Sequence, residues 1–227
     1  MDPRSRSIAV ALVLVLSCFY SNTGSALDTI TSSRPIRDNE TIISRGSAFE
    51  LGFFSPVNSS NRYVGIWFND RSETVIWVAN RNKHLKDASG VLKISEDGNL
   101  VVLNGQNEVL WSSNVSKPLT NATAQLLDSG NLVLGDSTDG SIWESFQDPT
   151  DTILLGMKLG THKRTGQKVR LTSWKNPSDP SPGSYSHGIE SSNIPEAFTW
   201  NDSLVYWRTG PWNGQEFIGV HGIVRNN

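Results

Sequence analysis

The chain carries Asp97-Gly98-Asn99-Leu100-Val101-Val102-Leu103 and, after a turn, Glu108-Val109-Leu110-Trp111. The pattern returns as Ser129-Gly130-Asn131-Leu132-Val133-Leu134, followed by Ser141-Ile142-Trp143. Asn99 and Trp111 stand 12 positions apart, and so do Asn131 and Trp143. A third tryptophan ends Thr74-Val75-Ile76-Trp77, 34 positions before Trp111, which lies 32 before Trp143. One unit of roughly 30 residues therefore occurs three times, within the length range of structural repeats. Each unit reads as a hairpin: a polar turn, a β-branched strand, a second turn, and a return strand closing on Trp. The second turn is Asn104-Gly105 in one copy and Asp139-Gly140 in the next. Two strands alone are marginal in water. Three units can share one interior if each sends its Trp inward, since a buried Trp removes about 150–250 Å² from water. Trp77, Trp111 and Trp143 are thus the expected core of an all-β fold.

Residues 1–26 read as an address label. Arg4 and Arg6 give a basic start, Ile8 to Leu16 is apolar, and Gly24 and Ala26 are the small residues of a cleavage site. That is the layout of a secretory signal peptide. The apolar run is too short for a membrane helix, which needs about 20 residues, and no later stretch is apolar enough to span. The single cysteine, Cys18, lies in this segment, so a cleaved chain has no thiol and no disulfide and relies on burial. A net charge of −2 with mixed signs argues against a nucleic-acid partner. Five Asn-x-Ser/Thr acceptors follow, at Asn39, Asn58, Asn114, Asn121 and Asn201. In a secreted chain they are expected to be exposed and glycosylated.

Phe49-Glu50-Leu51-Gly52-Phe53-Phe54 and Tyr63-Val64-Gly65-Ile66-Trp67-Phe68 are strand-like and complete a first unit that begins at Leu27. No segment sustains a helical period with caps. Asp148-Pro149-Thr150-Asp151-Thr152 is a turn-rich junction, and a domain boundary is expected near residue 150. A less regular part follows, with Asn176 to Gly183 read as a loop.

At these residues the chain resembles the plant S-domain receptor kinases, or G-type lectin receptor-like kinases, and the related S-locus glycoproteins. Phe49 to Pro56, Tyr63 to Trp67, Val75-Ile76-Trp77-Val78-Ala79-Asn80-Arg81, Trp143-Glu144-Ser145-Phe146, Asp148 to Leu154, Gly156 to Gly160 and Thr209-Gly210-Pro211-Trp212-Asn213-Gly214 carry the resemblance. It implies a bulb-type, mannose-binding-like lectin domain at 27–147, folded as a β-prism of three four-stranded sheets. It also implies an incomplete β-rich S-locus region at 148–227. Full-length relatives continue to a transmembrane helix and a cytoplasmic kinase. No Gly-rich phosphate loop, Val-Ala-Ile-Lys, His-Arg-Asp or Asp-Phe-Gly occurs in this chain, so no kinase chemistry is expected of it.

Bulb lectins use Gln-x-Asp-x-Asn-x-Val-x-Tyr, in which alternate residues of one strand face bind mannose hydroxyls while Val packs on the ring. The second unit places Ser95, Asp97, Asn99, Val101 and Leu103 in those slots, so Asp, Asn and Val match. The third places Leu127, Ser129, Asn131, Val133 and Gly135, keeping Asn and Val. In the first, spacing to the Trp puts Gly65 and Trp67 in the Asn and Val slots. Asp97-Gly98-Asn99 suits a turn that starts a strand better than a working sugar site, and Ser129-Gly130-Asn131 does so still more.

The histidines are scattered, with no metal-ligand spacing, and no Gly-x-Ser-x-Gly elbow appears. Asp148 and Asp151 suit an Asx-type turn better than a paired-carboxylate site. No enzyme, cofactor or metal is expected. Three readings remain: a carbohydrate-binding module for a mannose-type glycan, a recognition ectodomain for an extracellular peptide or another receptor, and a truncated product without activity of its own. The first two place the chain outside the cell, secreted or at its surface, in recognition signalling such as pollen recognition or defence.

Overall fold

The structure is a computed structural model describing residues 28–136, 140–161, 166–191 and 194–220. The expected signal peptide, Cys18 and the Asp139 turn position lie outside the described residues. Numbered along the chain, the first twelve strands are β1 Thr29–Thr31, β2 Ile36–Arg37, β3 Thr41–Ile43, β4 Phe49–Phe54, β5 Tyr63–Phe68, β6 Arg71–Val78, β7 Val91–Ile94, β8 Leu100–Leu103, β9 Val109–Ser112, β10 Thr123–Leu126, β11 Leu132–Asp136 and β12 Gly140–Glu144. They form three antiparallel four-stranded sheets ordered β3-β4-β5-β6, β2-β7-β8-β9 and β1-β10-β11-β12. Helix among the described residues is confined to one 3-10 turn, Ser145–Gln147.

Register shows why three sheets close around one core. Ile42 pairs with Leu51, Leu51 with Ile66, and Ile66 with Trp77. In the second sheet the rung is Ile36–Leu92–Val102–Trp111. In the third it is Ile30–Ala124–Leu134–Trp143. The nine aliphatic members of these rungs are at most 3% exposed, and burying each large one contributes about 1.5–3 kcal/mol. The tryptophans complete the rungs and meet at the centre. Their ring centroids are 5.7, 6.0 and 5.6 Å apart for the pairs 77–111, 77–143 and 111–143, all edge-to-face. That is the arrangement aromatic quadrupoles favour. Three four-stranded sheets around a shared core make this part a β-prism.

Two expectations change. The chain from Leu27 is not all one unit: β1 completes the third sheet and β2 the second, so only β3 stays with β4–β6. Isolated, each repeat would leave a sheet edge open; exchanging the lead-in strands ties the N-terminal stretch to all three. The first unit's slots also shift. Ile66, not Phe68, faces Trp77, because β6 carries register shifts against β5 that lengthen the hairpin. The positions matching Asn99 and Val101 are therefore Tyr63 and Gly65.

Beyond the prism lie β13 Gly160–Thr161 and β14 Lys168–Val169, then a fourth four-stranded sheet of β15 Leu171–Asn176, β16 Asp179–Ser191, β17 Pro195–Asn201 and β18 Leu204–Pro211. This region is more regular than its sequence indicates. The expected loop 176–183 is a tight turn, and Pro180 to Gly183 belong to β16. Register shifts between Thr172 and Asn176 accommodate the prolines, which lack the N–H of a regular ladder. The junction near residue 150 is stitched to the prism. Trp77 Nε1 donates to Asp148 O at 2.9 Å, and Thr150 Oγ1 donates to Ile76 O at 3.1 Å. Arg81 donates to Pro180 O at 2.7 Å, Ser173 O at 3.0 Å and Thr172 O at 3.2 Å.

Candidate functional site

The second and third sheets start their central strands in the same way. Ser95 N donates to Asn99 O at 2.8 Å and Gly98 N to Ser95 O at 2.9 Å; Leu127 N donates to Asn131 O at 2.9 Å and Gly130 N to Leu127 O at 3.0 Å. Gly98 and Gly130 hold φ of 84° and 82°, a region that costs other residues a Cβ clash. At Gly98 a Cβ would also lie 2.5 Å from Leu119 Cβ and under 3 Å from its backbone. The turn is thus pressed beneath the segment that follows β9.

Asn99 is 6% exposed. Its Oδ1 accepts from Ser113 Oγ at 2.9 Å and Val115 N at 2.6 Å; its Nδ2 donates to Asp97 Oδ2 at 3.0 Å and Val115 O at 3.3 Å. An amide has two acceptor positions and two donors, so this one is fully engaged within the fold. Ser113 Oγ in turn accepts from Leu100 N at 3.1 Å. Asn131 repeats the device: its Oδ1 accepts from Ser145 Oγ at 3.1 Å and Phe146 N at 3.2 Å, while Nδ2 donates to Glu144 Oε2 at 3.0 Å. Ser145 Oγ accepts from Leu132 N at 2.9 Å. In the first sheet, where Tyr63 replaces the asparagine, Asn80 reaches across instead and accepts from Val64 N at 2.8 Å. Each latch joins the start of a central strand to the chain just past its tryptophan.

Asp97 remains exposed at the rim. Ser95 Oγ donates a short bond to its Oδ1, and Asn99 N donates to the same oxygen at 3.2 Å. The Ser95 hydroxyl, then the Asn99 N–H and amide, hold its carboxyl below the usual range. It is a fixed, ionised acceptor for a hydroxyl at neutral pH. Val101, expected to pack on the sugar ring, and Leu103, in the Tyr slot, are only 5% and 7% exposed. In the third sheet the slot holds Leu127, 37% exposed, beside Ser129 and the half-buried Val133, with no carboxylate at the Asp position. The structure therefore brings Ser95, Asp97 and Asn99 into one network, and sets Asn131 and Val133 apart in another sheet.

Sequence reading missed Ser113, Ser145 and Asn80 as the latch partners. A signal existed: a serine stands two positions after the Trp in both Trp111-Ser112-Ser113 and Trp143-Glu144-Ser145. Among the described residues no group of three His, Cys, Asp or Glu is placed to hold a metal, and no helix is long and apolar enough to cross a membrane.

The family described as D-mannose binding lectin matches residues 74–175, from the end of the first sheet into β15. A G-type lectin S-receptor-like serine/threonine-protein kinase of Arabidopsis thaliana is 50% identical over 215 residues, covering 92% of this chain and 26% of the kinase. A second such Arabidopsis kinase is 52% identical over 219 residues, covering 93% and 27%. An S-locus-specific glycoprotein of Brassica oleracea is 41% identical over 222 residues, covering 94% and 50%. Among solved structures, a monomeric mannose-binding lectin from Gastrodia elata aligns with 52% of this chain and 93% of its own, at 21% identity and a TM-score of 0.41. Snowdrop agglutinin complexed with methyl-α-D-mannoside aligns with 50% and 94%, at 21% identity and a TM-score of 0.38. The chain spans about a quarter of the length of these kinases and half that of the glycoprotein. Over the stretch it shares with them, the chain belongs to the family of plant G-type lectin S-receptor-like serine/threonine kinases and S-locus glycoproteins.

Proposed function

We propose that this chain is a non-catalytic recognition module of the extracellular side, with a signal peptide at 1–26, a bulb-type lectin domain at 27–147 and the start of an S-locus region at 148–227. In this reading it meets its ligand at the rim of the prism and serves recognition signalling such as pollen recognition or defence. The observation that carries the reading is the internal engagement of Asn99. The slot offers a mannoside one anchored carboxylate, Asp97, while the amide is held elsewhere and the Gln and Tyr of the full motif are absent. Each missing hydrogen bond costs about 0.5–1.5 kcal/mol, so the three together lower affinity by roughly tenfold or more. Binding at this slot is accordingly weak, and titration calorimetry of the whole chain with methyl α-mannoside tests it. A millimolar affinity abolished by Asp97→Ala supports the reading; an affinity unchanged in that variant removes the second sheet from it.

A protein ligand is the second reading, favoured by β18. Leu204, Val205, Tyr206 and Trp207 on this edge strand are 73%, 55%, 69% and 45% exposed, and an apolar edge is a template for a partner strand. That partner would be a peptide or a receptor ectodomain.

The secretory assignment makes its own prediction. Asn39, Asn58, Asn114 and Asn121 are exposed and sit in left-handed turn conformations, with φ of 75°, 57°, 51° and 57°. Asn201 is half-buried and ends β17. Glycopeptide mass spectrometry of chain secreted from plant cells is expected to find the first four more fully occupied than Asn201. Uniform absence of glycan would argue against the secretory route.

A further inference from the structure

A groove of about 850 Å³ separates the end of the third prism sheet from the β13–β14 hairpin. Glu144, Phe146 and Gln147 form its prism wall; Lys158, Thr161 and Gln167 stand on the other side. Its volume falls within the roughly 300–1,000 Å³ of small-ligand clefts. We propose that this groove is a binding site for a neutral oligosaccharide, a deepening of the lectin-type reading above and resting on it.

The Asn131 amide, instead of facing a sugar in the third slot, organises the groove wall. Nδ2 holds Glu144 Oε2 at 3.0 Å, and Oδ1 accepts from Phe146 N at 3.2 Å. Ser141 Oγ fixes the other carboxylate oxygen at 2.8 Å. A carboxylate has about four acceptor positions, so an anchored Glu144 can take further hydroxyl protons while its orientation stays set. The Phe146 ring is half-buried beside it. Gly156, which holds φ of 93°, passes close to the ring: a Cβ there would come 3.9 Å from Phe146 Cε2, an ordinary van der Waals contact. An aromatic side chain packs on the C–H side of a sugar, a fixed carboxylate accepts its hydroxyls, and the amide of Gln147 serves as both donor and acceptor. The one acidic and one basic side chain of the lining, Glu144 and Lys158, cancel, which selects an uncharged polyol over a phosphate or an acidic peptide. A groove of this size holds more than one sugar ring, so oligomers bind better than monosaccharides.

The whole chain is tested by calorimetry against mannotriose, cellotriose, chitotriose and methyl α-mannoside. At least one trisaccharide is expected to bind ten-fold or more tighter than the monosaccharide. Phe146→Leu, which keeps apolar bulk and the backbone bond to Asn131, is expected to weaken that binding about ten-fold. Gln147→Ala, at an exposed position, is expected to weaken it several-fold, whereas Gln106→Ala on the far hairpin leaves it unchanged. Thermal melts matching the parent chain show that the variants fold. Trisaccharide binding lost in Asp97→Ala yet intact in Phe146→Leu and Gln147→Ala overturns the groove and leaves the lectin-type reading standing. No binding of any of the four sugars overturns both.

Discussion

Trp77→Ala is expected to destabilise the prism by about 3–5 kcal/mol, the usual cost of removing a buried tryptophan, and to lower its melting temperature by roughly 10–20 °C. Trp77 is 2% exposed and meets both other tryptophans edge-on. Its loss empties the point where the three rungs converge, and rigid sheets on three sides cannot collapse into the gap. It also removes the Nε1 bond to Asp148 O that ties the prism to the junction. Trp77→Phe separates the two contributions. It keeps a ring in the centre and loses the hydrogen bond, with an expected cost of about 1–2 kcal/mol from the carbonyl left unpaired. Trp111→Ala and Trp143→Ala are expected to cost less, because those rings are only partly buried against the core. Calorimetric melts rank the four variants. A Trp77→Ala chain melting within a few degrees of the parent would show that the sheets hold together without their central contact.

Asn99→Ala is expected to cost about 2–4 kcal/mol, although the sequence motif presents Asn99 as a sugar-contacting residue. The substitution leaves Ser113 Oγ and Val115 N without their acceptor and frees the loop that Val115 O anchors. Each buried group left unpaired costs about 1–3 kcal/mol. Asp97→Ala is expected to be nearly neutral for stability at neutral pH, since its carboxylate is at the surface and its bonds are local. The folded-state pKa of Asp97 is depressed, so its small contribution is present above the ordinary carboxylate value and is lost as pH falls through the folded value. Urea unfolding of both variants distinguishes the roles. Equal midpoints would mean that the Asn99 latch does not hold the loop. With the expected difference, a loss of glycan binding in Asn99→Ala reports a disordered rim, and Asp97→Ala becomes the variant that reports on contact with the sugar.

Ser95-Glu96-Asp97-Gly98-Asn99 was legible as a turn entering a strand because turn chemistry is local. Glycine at positive φ and side chains bonding to nearby backbone show in the residues themselves. The same locality left the partners of Asn99 and Asn131 unread. Spacing identifies which residues alternate on a strand face, but not that a serine 14 positions later already occupies the amide.

Alternation, turn residues and the recurring Trp thus dictated an all-β chain of three similar units, since each depends on neighbours within a few positions. Which sheet Ile30, Ile36 and Ile42 would join, which residues of β5 match those of β8, and which polar groups stay free for a ligand depended on pairings between distant segments. Those were decided by tertiary closure alone, because a strand edge or a buried amide takes whichever partner the fold brings to it.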